Sequence, residues 1–359
     1  TKINKGYYDI EVDGSILGPG EFPSPERAEC EINAITYFDE AKNRCFTFLL
    51  RNPNNPLIQQ FEDEYSSGRF TPKDIYEFVQ NTVGGWKKMK RFGITNAEFR
   101  LYWFDNEIDL IRSFFATVYR MKPDFMMGWN SSGFDFQYII TRISVLGYDP
   151  VEICCDPSWE EKFLVHYVDQ RNINDYAERG DFTRIASDVV WLDQMIQFCS
   201  RRKAKMGSFT SFKLDDIANL TAGVRKLNYS HITNDLAQLP YLDYKTFTLY
   251  NIIDVIDQKC IEAKAQDLEY IFAKCIVNCT HYAKGHRQTV YLINRMTKEW
   301  DKLDLVIGNN VNKWNKKPEK YQGALVEDPR TVSDYSKIKI YGTPILLVDN
   351  AQDFDQKVA

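Results

Sequence analysis

The chain has 359 residues, of which 44% are hydrophobic and 14% aromatic, so it is long enough to bury the cores of roughly two domains. Its formal net charge of −5 excludes a protein that binds polyanions by bulk positive charge, and any nucleic-acid contact would require local basic patches or bound cations. No stretch approaches the roughly 20 uninterrupted apolar residues of a membrane span, and Thr1 to Tyr8 lacks the features of a signal peptide. We therefore expect a cytoplasmic protein with no membrane partner.

The first predicted element is a strand near the amino end, with the sequence YYDIEV. Tyr8, Ile10 and Val12 fall on one face of this strand, whereas Asp9 and Glu11 fall on the other. An apolar face opposite a pair of acids, next to a loop rich in glycine and proline, is typical of a strand at the centre of a sheet.

A hairpin and three further elements follow that loop. Residues 30–38 and 44–50 are predicted to form two strands joined by a polar turn. Residues 106–121 have apolar positions at helical spacing, and residues 124–129 have the composition of a short buried strand. A helix over about 133–146 comes next.

The start of that helix is of interest because it carries an acid. Ser131 or Ser132 is predicted as its N-cap, and Gly147 as its stop. Asp135 would then lie in the first turn.

The second half of the chain is mainly helical in pattern. Residues 186–198 predict a strand that runs into a helix, and residues 212–220 predict a short helix. Two strong helical patterns cover about 244–266 and 268–303. The stretch 158–184 is polar and irregular, and its pattern predicts no particular structure.

Four acids occupy notable positions, and each has an ordinary explanation when it is taken alone. Asp9 and Glu11 are most simply the solvated face of a strand, and Asp135 is an acid that is stabilised by the helix dipole. Asp254 is most simply an exposed helical acid. Tyr250 lies four residues before Asp254, so both side chains share one helix face.

The order of these residues along the chain changes that interpretation. The segment DIE begins at Asp9, NSSGFD ends at Asp135, and YNIID runs from Tyr250 to Asp254. These segments resemble the exonuclease motifs DIE, NxxxFD and YxxxD of family B DNA polymerases of the T4-like phage type. The neighbouring sequences MGWN, SFKLD and YQGALV are similar to the same family, so the resemblance covers nearly the whole chain.

The resemblance implies an α/β fold of the RNase H-like exonuclease type, with a mixed central sheet flanked by helices. It also implies a proofreading 3′→5′ exodeoxyribonuclease that acts on the 3′ end of single-stranded DNA, uses two Mg²⁺ or Mn²⁺ ions and releases nucleoside monophosphates. Such hard ions prefer carboxylate oxygens, and a pair of them about 4 Å apart can neutralise the charge that builds up on the attacking and leaving oxygens. If the chain is viral, its location would be the cytoplasm of an infected host cell.

The same resemblance assigns five catalytic residues, four of which would hold metal. Asp9 would bridge both ions, and Glu11 and Asp254 would help to hold the ion that activates water. Asp135 would hold the second ion, largely through water. Tyr250 would orient the attacking water, which implies the tyrosine subclass of the DEDD nucleases.

Other residues are candidates for contacts with DNA. Asn130 is assigned to the substrate backbone and Phe134 to the terminal bases, although the helix pattern also gives this phenylalanine a place in the core. The basic stretches 86–92 and 201–205 fit either a path for single-stranded DNA or solvated surface. The eight cysteines form no CxxC pair, so structural thiols are predicted. The histidines are interpreted as structural or surface residues: His166, His231, His281 and His286.

The resemblance also predicts how the chain is divided. Residues 1–269 would form the exonuclease domain, residues 270–320 a helical segment that returns toward an amino-terminal domain, and residues 321–359 the start of a palm. The polymerase motifs SLYPS, KxxxNSxYG and DTDS are absent, so the chain alone is not expected to extend DNA. The apolar stretch 345–348 predicts a strand that needs a partner.

Several alternatives stay open at this stage. The sequence fits a cropped polymerase, and it fits one chain of a split polymerase whose second chain carries palm, fingers and thumb. A non-catalytic assembly module of such a polymerase would keep the fold, but it would be free to lose the acids that are all present here. A DEDD exoribonuclease would share the acids and differ by its preference for RNA.

Overall fold

The computed structural model describes residues 3–18, 20–282, 285 and 288–305, and two short strands, β9 (Lys339–Ile340) and β10 (Thr343–Pro344). The chain divides into two compact units, Thr1–Leu305 and Val306–Ala359. In the second unit, β9 and β10 pair antiparallel. The strand expected at 345–348, and the rest of the expected palm segment 321–359, lie outside the described residues.

The first unit contains one mixed sheet of eight strands. In chain order these are β1 (Lys5–Val12), β2 (Ile32–Asp39), β3 (Arg44–Leu50), β4 (Glu98–Phe104), β5 (Phe125–Gly128), β6 (Leu164–Tyr167), β7 (Phe182–Ile185) and β8 (Val190–Asp193). Across the sheet the order is β4-β3-β2-β1-β5-β8-β7-β6. The pairs β3–β4, β1–β5 and β5–β8 are parallel and the other pairs are antiparallel, so the predicted mixed sheet is confirmed.

Helices flank the sheet on both faces. They are α1 (Pro56–Ser66), α2 (Pro72–Val83), α3 (Trp86–Phe92), α4 (Glu107–Met121), α5 (Asp135–Val145), α6 (Pro150–Cys154), α7 (Gln194–Arg201), α8 (Leu214–Ala222), α9 (Leu239–Leu242), α10 (Tyr244–Ala265), α11 (Asp267–Val277) and α12 (Gln288–Asp301). One buried layer contains α10, and the layer on the opposite face contains α4 and α5.

Strand β1 lies in the middle of the sheet, as predicted, between β2 and β5. Its side chains alternate between the two faces. Tyr8 and Ile10 belong to the layer of α4 and α5, whereas Tyr7 belongs to the layer of α10. Because Asp9 and Glu11 share the face of Tyr7, they point toward the α10 side.

Helix α10 packs against β1 and β2 and is buried around nearly its whole circumference over most of its 22 residues. A helix that is buried on all sides has apolar residues around its circumference rather than on one face, and the sequence from Tyr244 has such a distribution. Asp243 caps the helix, because its carboxylate accepts a hydrogen bond of 2.9 Å from the N–H of Thr246.

Two boundaries differ from the sequence-based prediction. Helix α5 begins at Asp135, and its N-cap is Phe134 rather than Ser131 or Ser132. Neither serine caps the helix. The hydroxyl of Ser131 donates to the carbonyl of Gly128, and the N–H of Ser132 donates to the carboxylate of Asp193 at the end of β8. The predicted stop is confirmed, since the chain leaves the helix through Gly147 at φ +82°.

The single helix predicted over 268–303 is wrong, because the chain forms α11 and α12 with a turn between them. The amide of Asn278 donates 2.7 Å to the carbonyl of Lys274, and Cys279 adopts a left-handed φ of +50°. Gly285 then passes so close to the thiol of Cys275 that a Cβ would lie 2.7 Å from the sulfur. These local contacts outweigh the continuous helical pattern.

The irregular stretch 158–184 contains an antiparallel hairpin of β6 and β7. Its connecting loop is tied internally by buried acids. The N–H of Asp169 donates to Asp181 at 2.9 Å, the carboxylate of Asp169 accepts from Gly180, and Arg179 pairs with Asp181. Such side-chain ties leave no periodic signal in a sequence.

The cysteines were predicted to be structural thiols. All eight cysteines carry free thiols, and seven of them are buried, whereas Cys279 is exposed. No helix among the described residues is both long and apolar enough to cross a membrane.

Candidate active site

A cleft of about 700 Å³ opens on the α10 side of β1. All seven residues that the sequence assigned to the site line this cleft: Asp9, Glu11, Asn130, Phe134, Asp135, Tyr250 and Asp254. They come from the centre of the sheet, from the loop before α5 and from α10. Side chains that are far apart in the chain therefore meet in one place.

Three of the acids form a tight group. Asp9, Glu11 and Asp254 each direct one carboxylate oxygen to a common point, with those oxygens all within 4.8 Å of one another. One carboxylate oxygen of Asp254, Oδ1, is buried and has no hydrogen-bond partner among the described residues. Carboxylate oxygens that lie this close together, with a buried oxygen that has no hydrogen-bond partner, fit a divalent cation such as Mg²⁺ or Mn²⁺.

Polar contacts from α10 to β1 fix the group. The amide Nδ2 of Asn251 donates to Oδ2 of Asp9 at 2.9 Å, and the amide of Gln258 donates to the carbonyl of Tyr8 at 3.0 Å. Both amides are fully buried, so these two hydrogen bonds hold α10, and with it Asp254, in a fixed position against β1. Sequence analysis missed Asn251, although it directly follows Tyr250.

Asp135 lies in the same cleft but outside the group of three. Its Oδ1 accepts a hydrogen bond of 3.3 Å from the N–H of Ile10. The loop that leads to it is tight. Asn130 adopts a left-handed φ of +58°, and a Cβ on Gly128 would lie 2.6 Å from Cβ of Ser131.

The clustered carboxylates perturb one another. Desolvation in the cleft, together with the negative charge of Asp254, raises the pKa of Glu11 to about 8. Desolvation also raises the pKa of Asp135 to about 7, and desolvation plus the charges of Asp135 and Asp254 raises the pKa of Asp9 well above its ordinary value. Without a cation, the group therefore holds protons near neutral pH.

Lys226 is the main functional candidate that sequence analysis missed. Its ammonium donates to Tyr250 Oη at 3.0 Å and to Oδ2 of Asp254. Burial would lower the pKa of Lys226, but the charges of Asp254, Tyr250 and Asp9 raise it well above the ordinary value. The lysine lies in the irregular segment after α8, where no periodic pattern marks it.

Tyr250 is buried beside this lysine. Burial, followed by the charge of Asp254, raises the pKa of Tyr250 above its ordinary range, so its phenol stays protonated. The ring of Tyr229 packs edge-on against it at 5.4 Å between centroids. The hydroxyl is thus held in one place as a hydrogen-bonding group.

Aromatic side chains form another wall of the cleft. Tyr176, Phe212, Trp129 and Phe134 all line it. The rings of Tyr176 and Phe212 meet edge-on at 5.5 Å, and the indole of Trp129 donates to the carbonyl of Phe212 at 2.9 Å. Tyr176 belongs to the loop between β6 and β7, which the sequence pattern left unassigned.

The basic stretches are engaged in the fold to a large extent. Arg201 and Arg202 both pair at 2.8 Å with the buried carboxylate of Asp267. In α3, Lys88 donates to the carbonyl of Gly223 at 2.6 Å. These contacts give the three side chains a role within the fold, which neither of the two sequence-based alternatives, a DNA path or solvated surface, had included.

Two histidines match their expected structural or surface character. His166 is well packed, whereas His231 is exposed. His286 lies outside the described residues.

Comparison with known proteins agrees with the geometry. Residues 7–216 match the family model described as "DNA polymerase family B, exonuclease domain". The chain is similar to the DNA-directed DNA polymerase of Escherichia phage RB69, with 26% identity over 348 residues, or 92% of this chain. It is also similar to the DNA-directed DNA polymerase of Enterobacteria phage T4, with 25% identity over 77% of this chain. The matched region spans 33% of the former relative and 26% of the latter.

Proposed function

This chain belongs to the exonuclease-domain family of family B DNA polymerases, and from that membership we propose that it removes nucleotides one at a time from the 3′ end of single-stranded DNA. Proofreading is the expected role of such a domain. The resemblance to this family is thereby confirmed.

One observation carries the proposal: the convergence of Asp9, Glu11 and Asp254 beside Tyr250 and Lys226. An assembly module without activity would need none of these groups to meet. The three carboxylates repel one another when they are ionised, so the ionised arrangement is costly unless cations bind there.

We propose that Asp9, Glu11 and Asp254 hold one divalent cation and that Asp135 helps to hold a second. The bound ions would supply positive charge at the phosphate and lower the pKa of a nearby water. The pKa values of Asp135 and Glu11, about 7 and about 8, favour cation binding at mildly alkaline pH, where these carboxyls ionise most readily.

The other groups of the cleft act on the substrate. The protonated phenol of Tyr250 orients a water or a phosphate oxygen, and Lys226 fixes that phenol while adding positive charge next to the scissile phosphate. Tyr176 and Phe212 offer ring faces and edges against which unpaired bases can pack. Asn130, on the same wall, offers an amide to the sugar-phosphate backbone.

A strand-polarity assay tests this function. A 5′-labelled single-stranded oligonucleotide with Mg²⁺ or Mn²⁺ should give a ladder that shortens from the 3′ end, and the Asp9→Ala variant should give none. A matched strand with a blocked 3′ end should survive, and a matched RNA strand should be cut more slowly. Equal digestion of the blocked strand would disprove the polarity, and faster digestion of RNA would favour an exoribonuclease.

DNA synthesis is a separate question, because the chain matches only part of its polymerase relatives. We propose that the residues of this chain do not extend a primer without a palm, whether that palm belongs to the same protein or to a second chain. Primer extension with four nucleotides and Mg²⁺ tests this, and measurable extension by the purified chain would contradict it.

A further inference from the structure

The peptide unit at Ser132, three residues before Asp135, is held on both sides, by the buried Asp193 and by the half-buried His166. Its N–H donates to Oδ2 of Asp193 at 3.0 Å, and its carbonyl oxygen lies 3.0 Å from Nε2 of His166. Asp193 ends β8, and His166 lies in β6. Two strands on the same side of β5 therefore meet the loop that leads to a proposed metal ligand.

The partners of His166 define its chemical form. A carbonyl only accepts hydrogen bonds, so Nε2 must carry the proton that is donated to Ser132. Nδ1 is then a lone-pair acceptor for the hydroxyl of Thr183, 2.8 Å away on β7. Burial lowers the pKa of His166, which favours this neutral form at physiological pH.

Within the loop before α5, the N–H groups of Gly133 and Phe134 donate to the carbonyl of Asn130, but the peptide unit of Ser132 finds its partners outside the loop. Asn130 is in the left-handed region at φ +58°, and Phe134 caps α5 without a side-chain hydrogen bond. The ring of His166 also lies 5.5 Å from the ring of Phe136, the residue after Asp135. Contacts from outside the loop, at Ser132 and Phe136, therefore add to the loop's own hydrogen bonds in placing Asp135.

The hairpin that supplies His166 also reaches the substrate side of the cleft. Tyr176, in the loop between β6 and β7, lines the cleft opposite the acids. Arg179 in the same loop lies so close to Gly133 that a Cβ there would be 3.2 Å from its guanidinium. The hairpin therefore contacts the loop at Ser132 and at Gly133, and it faces the cleft at Tyr176.

We propose that His166 is a positioning residue of the exonuclease site, which ties the β6–β7 hairpin to Asp135 through the carbonyl of Ser132. This rests on the proposed function of the cleft. In this arrangement the β6–β7 hairpin, which would pack against the DNA strand through Tyr176, also sets the position of Asp135, the proposed ligand of the second cation. The hydrogen bond from His166 to Ser132 then contributes to a coupling between contact with substrate and completion of the metal site.

The test compares His166→Phe, which keeps a ring but removes the donor, with His166→Gln, whose amide Nε2 can still donate to Ser132. Loss of an outer hydrogen bond to a metal site typically costs about 10- to 100-fold in affinity or activity. We expect His166→Phe to lower kcat by about that factor, with KM for the oligonucleotide changed by less than about threefold, and to weaken binding of the second Mn²⁺ by a similar factor. His166→Gln should recover most of both, and Thr183→Val should show a smaller loss.

His231→Phe is the matched control, because this histidine is exposed in a loop, and it should behave as the unchanged protein. Mn²⁺ binding is followed by electron paramagnetic resonance, so the comparison does not depend on hydrolysis. Unchanged kcat and Mn²⁺ binding in His166→Phe would overturn the proposal, and so would equal loss in the phenylalanine and glutamine variants. If the unchanged protein fails to cut DNA, the proposed function fails, while the Mn²⁺ measurement still decides the role of His166. If His166→Phe does not fold, Thr183→Val and His166→Gln decide by the same two measurements.

Discussion

At the scale of single residues, the cleft combines several acids with the ammonium group of Lys226, which contacts one of them directly. The carboxylates of Asp9, Glu11 and Asp254 converge, and Lys226 contacts the last of these. The amide of Asn251 gives Asp9 a further partner. Removing an acid and removing the lysine should therefore change stability in opposite directions, while both changes should lower hydrolysis.

Asp9→Asn should abolish hydrolysis while leaving the protein folded. The change removes a proposed metal ligand, and it also removes one charge from a crowded group, so metal-free thermal stability should stay the same or rise. Rates in a metal-defined assay and melting temperatures in EDTA measure the two effects. Near wild-type hydrolysis would show that the cations bind elsewhere.

Tyr250→Phe should slow hydrolysis by about 10- to 1,000-fold, because it deletes one orienting hydroxyl and leaves the acids in place. Single-turnover rates on a short oligonucleotide give the comparison with Asp9→Asn. A loss as deep as that of the aspartate variant would mean that the phenol does more than orient.

Lys226→Met should affect stability as well as rate. It removes the ammonium that contacts Tyr250 and Asp254, so metal-free stability should fall, and hydrolysis should fall by about 10- to 100-fold. Lys226→Arg keeps the charge and should lose less. Chemical unfolding in EDTA and steady-state rates provide the measurements, and a methionine variant with unaltered kinetics would remove the lysine from the mechanism.

At the scale of secondary-structure elements, α5 is anchored far from its uncapped start. Arg142 in α5 makes a bidentate pair with the buried Glu107 of α4 and also donates 3.1 Å to the carbonyl of Ala28. Glu107 in turn accepts from the N–H of Ile32 at 2.7 Å. This pair joins two helices to β2 and thereby sets the axis on which Asp135 lies.

Arg142→Met should lower the free energy of unfolding by about 3–5 kcal/mol, because it leaves Glu107 buried without its counter-ion. The double variant Arg142→Met, Glu107→Met should recover much of this loss, since an apolar pair avoids the unpaired charge. Arg112→Met, which breaks an exposed pair with Asp109 on α4, should cost less than about 1 kcal/mol. Urea unfolding followed by circular dichroism compares the three, and similar losses for the buried and the exposed arginine would contradict the argument.

The elements also show what the sequence could predict. β1 and α4 have clear periodicity, and α10 has an aspartate N-cap and a long apolar-rich sequence; the predicted bounds of all three agree with the structure to within a few residues. The break between α11 and α12 and the hairpin of β6 and β7 depend on side-chain ties such as those of Asn278 and Asp169, which periodicity does not report. The five residues of the motifs were predicted from their resemblance to family motifs, whereas Lys226 and Tyr176 reach the cleft, and Asn251 reaches Asp9, only through the tertiary fold.

At the scale of the whole molecule, the acidic cleft links stability to pH and to cations. The folded pKa values of Glu11 and Asp135, about 8 and about 7, lie above the ordinary 4.5 and 3.8. A carboxyl with a raised folded pKa contributes stability that is fully present below its unfolded pKa and is lost as the pH rises through the folded value. The metal-free protein should therefore become less stable from about pH 4.5 to about pH 8 through these groups.

Divalent cations should reverse that trend, because they bind the ionised form. The rise in melting temperature on adding Mn²⁺ should be larger at about pH 8.5 than at about pH 6, and Asp9→Asn should reduce it at both. Differential scanning fluorimetry in EDTA and in Mn²⁺ gives the four values. An equal Mn²⁺ effect at both pH values would show that these carboxyls are not the binding groups.

The seven buried thiols give the molecule reporters of its own opening motions. Cys45 lies in β3, Cys199 in α7 and Cys260 in α10, and burial raises the pKa of each thiol. A reagent that reacts with thiolates should label the exposed Cys279 rapidly, and it should reach the seven buried cysteines only when the structure around them opens. Labelling rates measured by mass spectrometry would then rank β3, α7 and α10 by their local opening free energies, without any engineered probe.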